Sequence, residues 1–280
     1  MVRILTDSMS DITQQEAAGL GIEVLPLVVR FGNEEYFDGL GITTEEFYVR
    51  LQSVTQLPKT SQVIPSRFQA AFDRILKDND DELVYIGGSS KLSGTFQSSV
   101  LAQSMCEHPE RVHLVDSRNA AIGMAQLVYA AVAMRDQGKS AAEIAEAVTA
   151  LRERVRLVGM ADQLKYLVMG GRLNGVVGAI GTTLNIKPML RLEGGLMHQA
   201  GLCRSMKSVH RWYVDAINAG KPDPAYPMLI AGAACPKLTD ALREALENAE
   251  FTIAETREIG AVIGTYTGPG LTAISWIAQE

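Results

Sequence analysis

The sequence predicts an α/β protein, with a mostly parallel α/β domain over residues 1–155 and an α+β domain over residues 156–280. Three observations carry this. The 280 residues are 47% hydrophobic, more than one core comfortably uses, so two domains are expected. As far as Arg154, short apolar runs alternate with helical patterns, as in strands laid parallel and covered by helices. After Val155 the pattern changes to hairpin-connected strands with intervening helices.

Val2 to Thr6 reads as a buried strand ending in the polar loop Thr6-Asp7-Ser8-Met9-Ser10-Asp11. A helix is expected to Leu20, with Asp11 and Gln14 as a capping pair and Gly21 as its stop. Ile22 to Phe31 is strongly β, but Pro26 within it marks an edge or irregular strand. After a turn at Asn33-Glu34-Glu35 the chain returns briefly as strand at Tyr36-Phe37-Asp38. Thr43 and Glu46 form a capping box for the helix Glu45 to Leu51. Leu57 to Pro65, held between prolines, reads as an extended loop. Ser66 to Lys77 is an amphipathic helix with Phe68, Phe72, Ile75 and Leu76 on one face. A turn over residues 78–81 leads to the buried strand Leu83-Val84-Tyr85-Ile86. Small residues, Gly87-Gly88-Ser89-Ser90, then lead through Lys91-Leu92-Ser93-Gly94 into a helix from Thr95 to Cys106.

Val112 to Val115 is the next strand, ended by Asp116-Ser117-Arg118. An alanine-rich helix follows Asn119 as far as Asp136, and Ser140 with Glu143 boxes the start of another, to Arg154. In the second half, Arg156 to Ala161 reads as a strand and Gln163 to Met169 as a short helix. Gly170 to Asn174 is a turn, and Val176 to Leu184 a small-residue helix. Ile186 to Leu192 and Leu196 to Leu202 form a hairpin. Beyond it come a helix from Ser205 to Ala219, a strand at Met228 to Ala233, a helix at Leu238 to Ala249, and strands at Phe251 to Ile259 and Val262 to Tyr266. Gly268-Pro269-Gly270 reverses the chain before a terminal helix.

Net charge is −6, which argues against nucleic acid or an anionic membrane as partner. No apolar run approaches the roughly 20 residues that span a bilayer, so no integral membrane segment is expected. The N-terminus turns into a strand at once, without a signal peptide, which points to the cytoplasm. Cys106, Cys203 and Cys235 show no metal or disulfide spacing and read as core residues. His108, His113, His198 and His210 form no HxH or HExxH pattern. No metal and no cofactor are expected. Asp7 and Asp116, at strand ends, read as solvated loop acids.

The chemistry gathers at Ser93-Gly94-Thr95, where a strand ends and a helix begins. Unpaired N–H groups and the positive end of the helix dipole favour an anion there, phosphate or carboxylate. The plainer reading is that Ser93 caps the helix. Thr60-Ser61 lies in a loop, where binding residues concentrate. Arg172, after two glycines, can turn inward to an anion. Arg204 and Lys207 stand at the start of a helix, on the unfavourable side of its dipole, which suggests a partner anion.

These motifs together resemble the DegV family, which includes the fatty-acid-binding B subunits of bacterial fatty acid kinase. The resemblance runs the length of the chain. It rests on Thr6 to Asp11, Pro58-Lys59-Thr60-Ser61-Gln62, Leu92-Ser93-Gly94-Thr95, Val115-Asp116-Ser117, Leu164 to Leu167 with Gly170-Gly171-Arg172-Leu173, Leu184-Asn185-Ile186-Lys187-Pro188 and Gly268-Pro269-Gly270. It implies one long-chain fatty acid as the bound ligand, buried between two domains. Its carboxylate would meet Thr60, Ser61, Ser93, Gly94 and Thr95, with Arg172 and Arg204 in the head-group region. Tyr266 stands where the family usually has a His; it too would donate to the carboxylate, without a charge near neutral pH. The resemblance further implies a carrier rather than an enzyme, with no catalytic residue, presenting the acid to a separate kinase catalytic subunit for acyl-phosphate formation. A tunnel for the tail would be lined by Ile122, Met124, Met160, Val176, Ile180 and Leu184. The sequence carries neither GxxxxGK[ST] nor a kinase signature set. The alternative is a hydrolase or acyl transferase with Ser93 as nucleophile, against which stand the missing G-x-S-x-G elbow and the lack of an assignable base.

Overall fold

The computed structural model describes residues 1–77, 80–174 and 186–280. The first part of the chain runs β1 (Val2–Asp7), α1 (Gln14–Leu20), β2 (Glu23–Leu25), β3 (Val28–Phe31), β4 (Glu34–Phe37), α2 (Thr44–Ser53) and β5 (Lys59–Ser61). It continues through α3 (Pro65–Leu76), β6 (Glu82–Gly87), α4 (Thr95–Gln103), β7 (Val112–Asp116), α5 (Ala121–Asp136) and α6 (Ala141–Leu151). The remainder is β8 (Val155–Met160), α7 (Lys165–Met169), β9 (Leu173–Asn174), β10 (Lys187–Glu193), β11 (Leu196–Cys203), α8 (Met206–Gly220), β12 (Leu229–Gly232), α9 (Pro236–Glu247), β13 (Glu255–Glu258), α10 (Ala261–Thr267) and β14 (Thr272–Ile277).

Three sheets organise these elements. β2-β1-β6-β7 is wholly parallel. Its central strand β6 carries the continuous apolar run Leu83 to Ile86, fully buried, as a strand covered on both faces requires. β4-β3-β5 is a small antiparallel sheet. The third, β13-β12-β14-β8-β10-β11-β9, is mixed, with an antiparallel hairpin at β10 and β11. The fold is thus the expected α/β protein with a parallel N-terminal sheet and a second, α+β part.

Capping chemistry sets several helix starts. Thr43 with Glu46 and Ser140 with Glu143 form the capping boxes expected of them. The Asp11–Gln14 pair does not form. Thr13 caps α1 through Glu16 N instead, while Asp11 takes a left-handed backbone, φ 55°, to end a 3-10 turn. Pro26 breaks the predicted long strand outright, and its halves, β2 and β3, join different sheets.

The largest departure is Val262 to Tyr266, which forms α10 rather than a strand. Only Glu255–Glu258 of the preceding run is strand, and the chain ends in β14, not in a helix. A seven-residue helix rich in Val, Ile and Thr has no periodicity long enough to tell it from a strand. The helix expected over 176–184 lies outside the described residues.

The parts of the molecule are tied by buried polar contacts as well as by apolar packing. The Gln126 amide on α5 donates to Pro227 O and Ser275 O at 2.7 and 3.1 Å. Ser89 Oγ donates to Gly195 O in the β10–β11 turn at 2.7 Å. Tyr213 on α8 donates to Thr272 O at 2.7 Å from a fully buried position. Replacing Tyr213 by Phe removes that donor with little change of shape. A loss of about 1–2 kcal/mol is expected, read as a lower urea midpoint at unchanged slope.

Candidate functional site

Four elements distant in sequence converge on one small cavity of about 70 Å³. Its polar lining comes from Thr60 on β5, Ser93 in the loop after β6, Arg172 between α7 and β9, and Tyr266 and Thr267 on α10. Its apolar wall includes Met9, Leu27, Leu92, Leu167, Val262 and Ile263. The result is a polar head against a hydrocarbon pocket.

The loops that present the head are shaped by carboxylates. Asp7, at the end of β1, is fully buried. It accepts from Met9 N at 2.9 Å, Gly88 N at 3.1 Å and the Tyr85 hydroxyl at 2.6 Å. Burial pushes its carboxyl up from the ordinary range, and the three donors oppose that rise. Asp116, at the end of β7, accepts from Ser90 N and Arg118 N at 3.2 and 2.9 Å, and from Ser90 Oγ at 2.6 Å. Asp7 is therefore not the solvated acid expected from sequence. Among the described residues no group of three or more His, Cys, Asp or Glu side chains is placed to hold a metal.

Ser93 does not cap α4: the N-cap is Gly94, without a side-chain cap bond. Ser93 Oγ accepts from Thr95 N at 3.2 Å in the turn before the helix, shares a 2.9 Å hydrogen bond with Thr95 Oγ1, and lines the cavity. Gly94 does not line it. A Cβ at Gly94 would stand 2.0 Å from Gln62 Oε1, so this glycine lets the segment after β5 pack against the start of α4. Gln62 Nε2 completes the tie by donating to Ser98 Oγ at 2.9 Å.

Across the cavity, the Tyr266 hydroxyl lies 2.6 Å from Thr60 Oγ1. The Arg172 guanidinium stacks over the Tyr266 ring, 4.4 Å from its centroid, a favourable cation–π geometry. Arg172 also donates to Gly170 O at 2.5 Å and to Leu92 O at 3.3 Å. Two glycines make this packing possible. A Cβ at Gly170 would lie 2.3 Å from the Tyr266 ring, and one at Gly268 would lie 2.1 Å from the Tyr166 ring. Gly268 has in addition φ 67° and ψ 176°, a region open essentially to glycine alone.

Of the residues proposed from sequence, Thr60, Ser93, Arg172 and Tyr266 thus meet at one cavity. Ser61 and Thr95 neighbour them in sequence without lining it, and Thr95 is fully buried. Arg204 is exposed and stands outside the lining. The tail positions Ile122, Met124 and Met160 are fully buried core residues, and none lines the cavity. Val176, Ile180 and Leu184 lie outside the described residues. Met9, Leu167 and Ile263 were not singled out from sequence, because an apolar side chain facing a cavity has the same spacing as one facing a core.

An apolar cavity lined by a few polar side chains is the kind of place where α/β scaffolds hold small apolar molecules. Comparison with known proteins gives the family. The model of the DegV family, described as an uncharacterised protein family, matches residues 1–279, and the chain belongs to it. A DegV domain-containing protein of Caldanaerobacter subterraneus subsp. tengcongensis is 33% identical, the alignment covering 98% of this chain and 97% of that one. Among solved structures, a DegV family protein from Thermus thermophilus, described for its fatty acid binding, superposes with a TM-score of 0.88 at 29% identity, covering 99% of each chain. DegV from Bacillus subtilis, described as a fatty acid binding protein, gives 0.84 at 26% identity, again over 99% of each.

Gly268→Ala tests the packing behind the site. The left-handed backbone and the collision with Tyr166 together are expected to cost about 2–4 kcal/mol, measured by urea unfolding.

Proposed function

We propose that this protein binds one long-chain fatty acid, its carboxylate at the polar end of the cavity and its tail along the apolar wall. The observation that carries this reading is that Thr60, Ser93, Arg172 and Tyr266 line one mainly apolar cavity, with Tyr266 in contact with both Thr60 and Arg172. The fatty acid binding described for the Thermus thermophilus and Bacillus subtilis relatives supports it. An ionised carboxylate cannot be buried without partners. Here a guanidinium and hydroxyl donors are at hand, and charge-assisted hydrogen bonds to them are the strong kind. Ser61, Gly94 and Thr95 shape this end of the site, and Arg204 belongs to the surface from which the head group is reached.

The tail supplies the affinity. At about 0.8 kcal/mol per buried methylene, fifteen of them gain on the order of 12 kcal/mol, less the entropy of ordering the chain. A cavity of about 70 Å³ holds a head group and little more, so Met9, Leu27 and Val262 draw back as the chain enters. We divide the molecule into residues 1–155 and 156–280, with the acid held between them. The protein acts as a carrier without catalysis of its own, in the cytoplasm, and presents the carboxylate to a separate kinase. Ser93 as a nucleophile finds no support: its Oγ is engaged by Thr95, and no histidine is among the lining residues.

Protein purified from cells and extracted under denaturing conditions should release close to one equivalent of fatty acid by mass spectrometry. Finding none in protein that also takes up no added palmitate would falsify the reading. Ser93→Ala should weaken palmitate binding about tenfold, and Arg172→Ala about a hundredfold, in equilibrium titrations of delipidated protein.

A further inference from the structure

The wall of the cavity that carries Tyr266 is held from outside the cavity. α10 is only seven residues long, yet it contributes Val262, Ile263, Tyr266 and Thr267 to the lining. Its first N–H groups are taken by two carboxylates more than 220 residues away in sequence. Asp11 Oδ1 accepts from Gly260 N at 3.0 Å. Asp38 accepts from Ala261 N at 3.1 Å and from Val262 N at 3.4 Å. A Cβ on Gly260 would stand 2.8 Å from Asp11 Oδ1 and 3.6 Å from Asp38 Oδ1, so both acids close on the same backbone. Tyr48 adds a hydrogen bond to Ile259 O at 3.0 Å.

These carboxylates are not sealed off from solvent chemistry. Ser8, Asp11, Asp38 and Gly260 line a separate cleft of about 690 Å³. The segment from Ser8 to Asp11 therefore faces two ways, with Met9 in the ligand cavity and its neighbours in the cleft. α10 with its preceding Gly260 does the same.

We infer that Asp11 and Asp38 are positioning residues for the ligand site proposed above: by holding the start of α10 they place Tyr266 and Ile263 against the cavity, and their ionisation loosens α10 and speeds exchange of the bound acid. The clamp buries both carboxylates, and a charge so buried favours any state that returns it to water. Asp38 is 5% exposed, and burial is the main cause that pushes its carboxyl up to about 6. Asp11 is raised well above the ordinary carboxylate range, by burial first and by the neighbouring Asp38, and its Oδ2 has no hydrogen-bond partner among the described residues. The groups facing the pair are Asp7 from β1, Tyr48 from α2, and Arg257 and Glu258 from β13. Arg257 is itself held by Glu16 at 2.6 Å. When α10 lifts, Asp38 returns toward its ordinary value of 3.8. The lifted state therefore ionises first, and it gains on the clamped state as pH rises through this window.

Amide hydrogen exchange of the ligand-free full chain tests the clamp, with palmitate release measured in parallel. Corrected for chemical exchange, opening of residues 260–268 should rise about tenfold between pH 5 and 7.5, while β6 stays protected. Asp38→Asn and Asp11→Asn, which keep an acceptor oxygen but cannot ionise, should each flatten that rise. Palmitate dissociation into excess albumin should follow the same profiles. Protection of 260–268 that ignores both pH and the substitutions, or that changes only in step with β6, overturns the inference. Should one variant fail to fold, the wild-type profile and the other variant still decide. A wild type that takes up no palmitate at any pH overturns the reading of the cavity and the ligand half of this inference; the exchange data then still decide whether the two aspartates hold α10.

Discussion

Asp7 ends β1 in a place closed to water, and three donors meet its carboxylate there. Without them the charge could not be buried. With them, the end of β1 is tied to Tyr85 on β6 and to the loop that follows β6. Those two strand ends carry Met9 and Ser93 to the cavity. The same physical need recurs around the site. Strand ends and helix starts leave N–H groups unpaired, and Asp116, Asp11 and Asp38 supply acceptors to them. Carboxylates thus fix these loops, while among the described residues none lines the cavity. An anion placed there would meet no like charge.

The glycine motifs gain a physical meaning from the same geometry. Gly170 and Gly268 come from segments almost a hundred residues apart, and each receives the ring of the other segment's tyrosine. α7 and α10 therefore interlock, and Arg172 is laid over Tyr266 as a consequence. Among the described residues the guanidinium is positioned by stacking and by two backbone carbonyls, with no carboxylate paired to it. Its charge thus remains available to a bound anion.

Much of this was legible in the sequence. The apolar run of β6 and the capping boxes at Thr43 and Ser140 each follow from one local rule and appear as expected, whereas Pro26, expected to make one strand irregular, splits it between two sheets. α10 was read as a strand because its Val, Ile and Thr content favours β and because its length hides the helical period. Its helicity depends on distant partners, Asp11 and Asp38 at one end and Tyr166 at the other, which no local window contains. The polar half of the site was legible because hydroxyls and an arginine stand out in loops. The apolar half was not, since Met9, Leu167 and Ile263 carry the same pattern as any core residue. Arg204, expected in the head-group region, is exposed and is not among the lining residues.

Tyr266 brings a phenol to the polar part of the lining. The 2.6 Å contact between Tyr266 and Thr60 contains one shared proton. If the phenol donates it, the Thr60 hydroxyl is free to donate elsewhere; if Thr60 donates, the phenol is free. In either case the pair presents one outward donor to an anion. The Ser93–Thr95 hydrogen bond differs: only Ser93 lines the cavity, so it offers a donor there when Thr95 gives the shared proton. Among the described residues Arg172 is the single cation that lines the cavity. An anion bound here would therefore meet one fixed positive charge and the hydroxyl donor of the Thr60–Tyr266 pair, while on the inferred clamp the response to pH would arise behind the wall, at Asp11 and Asp38.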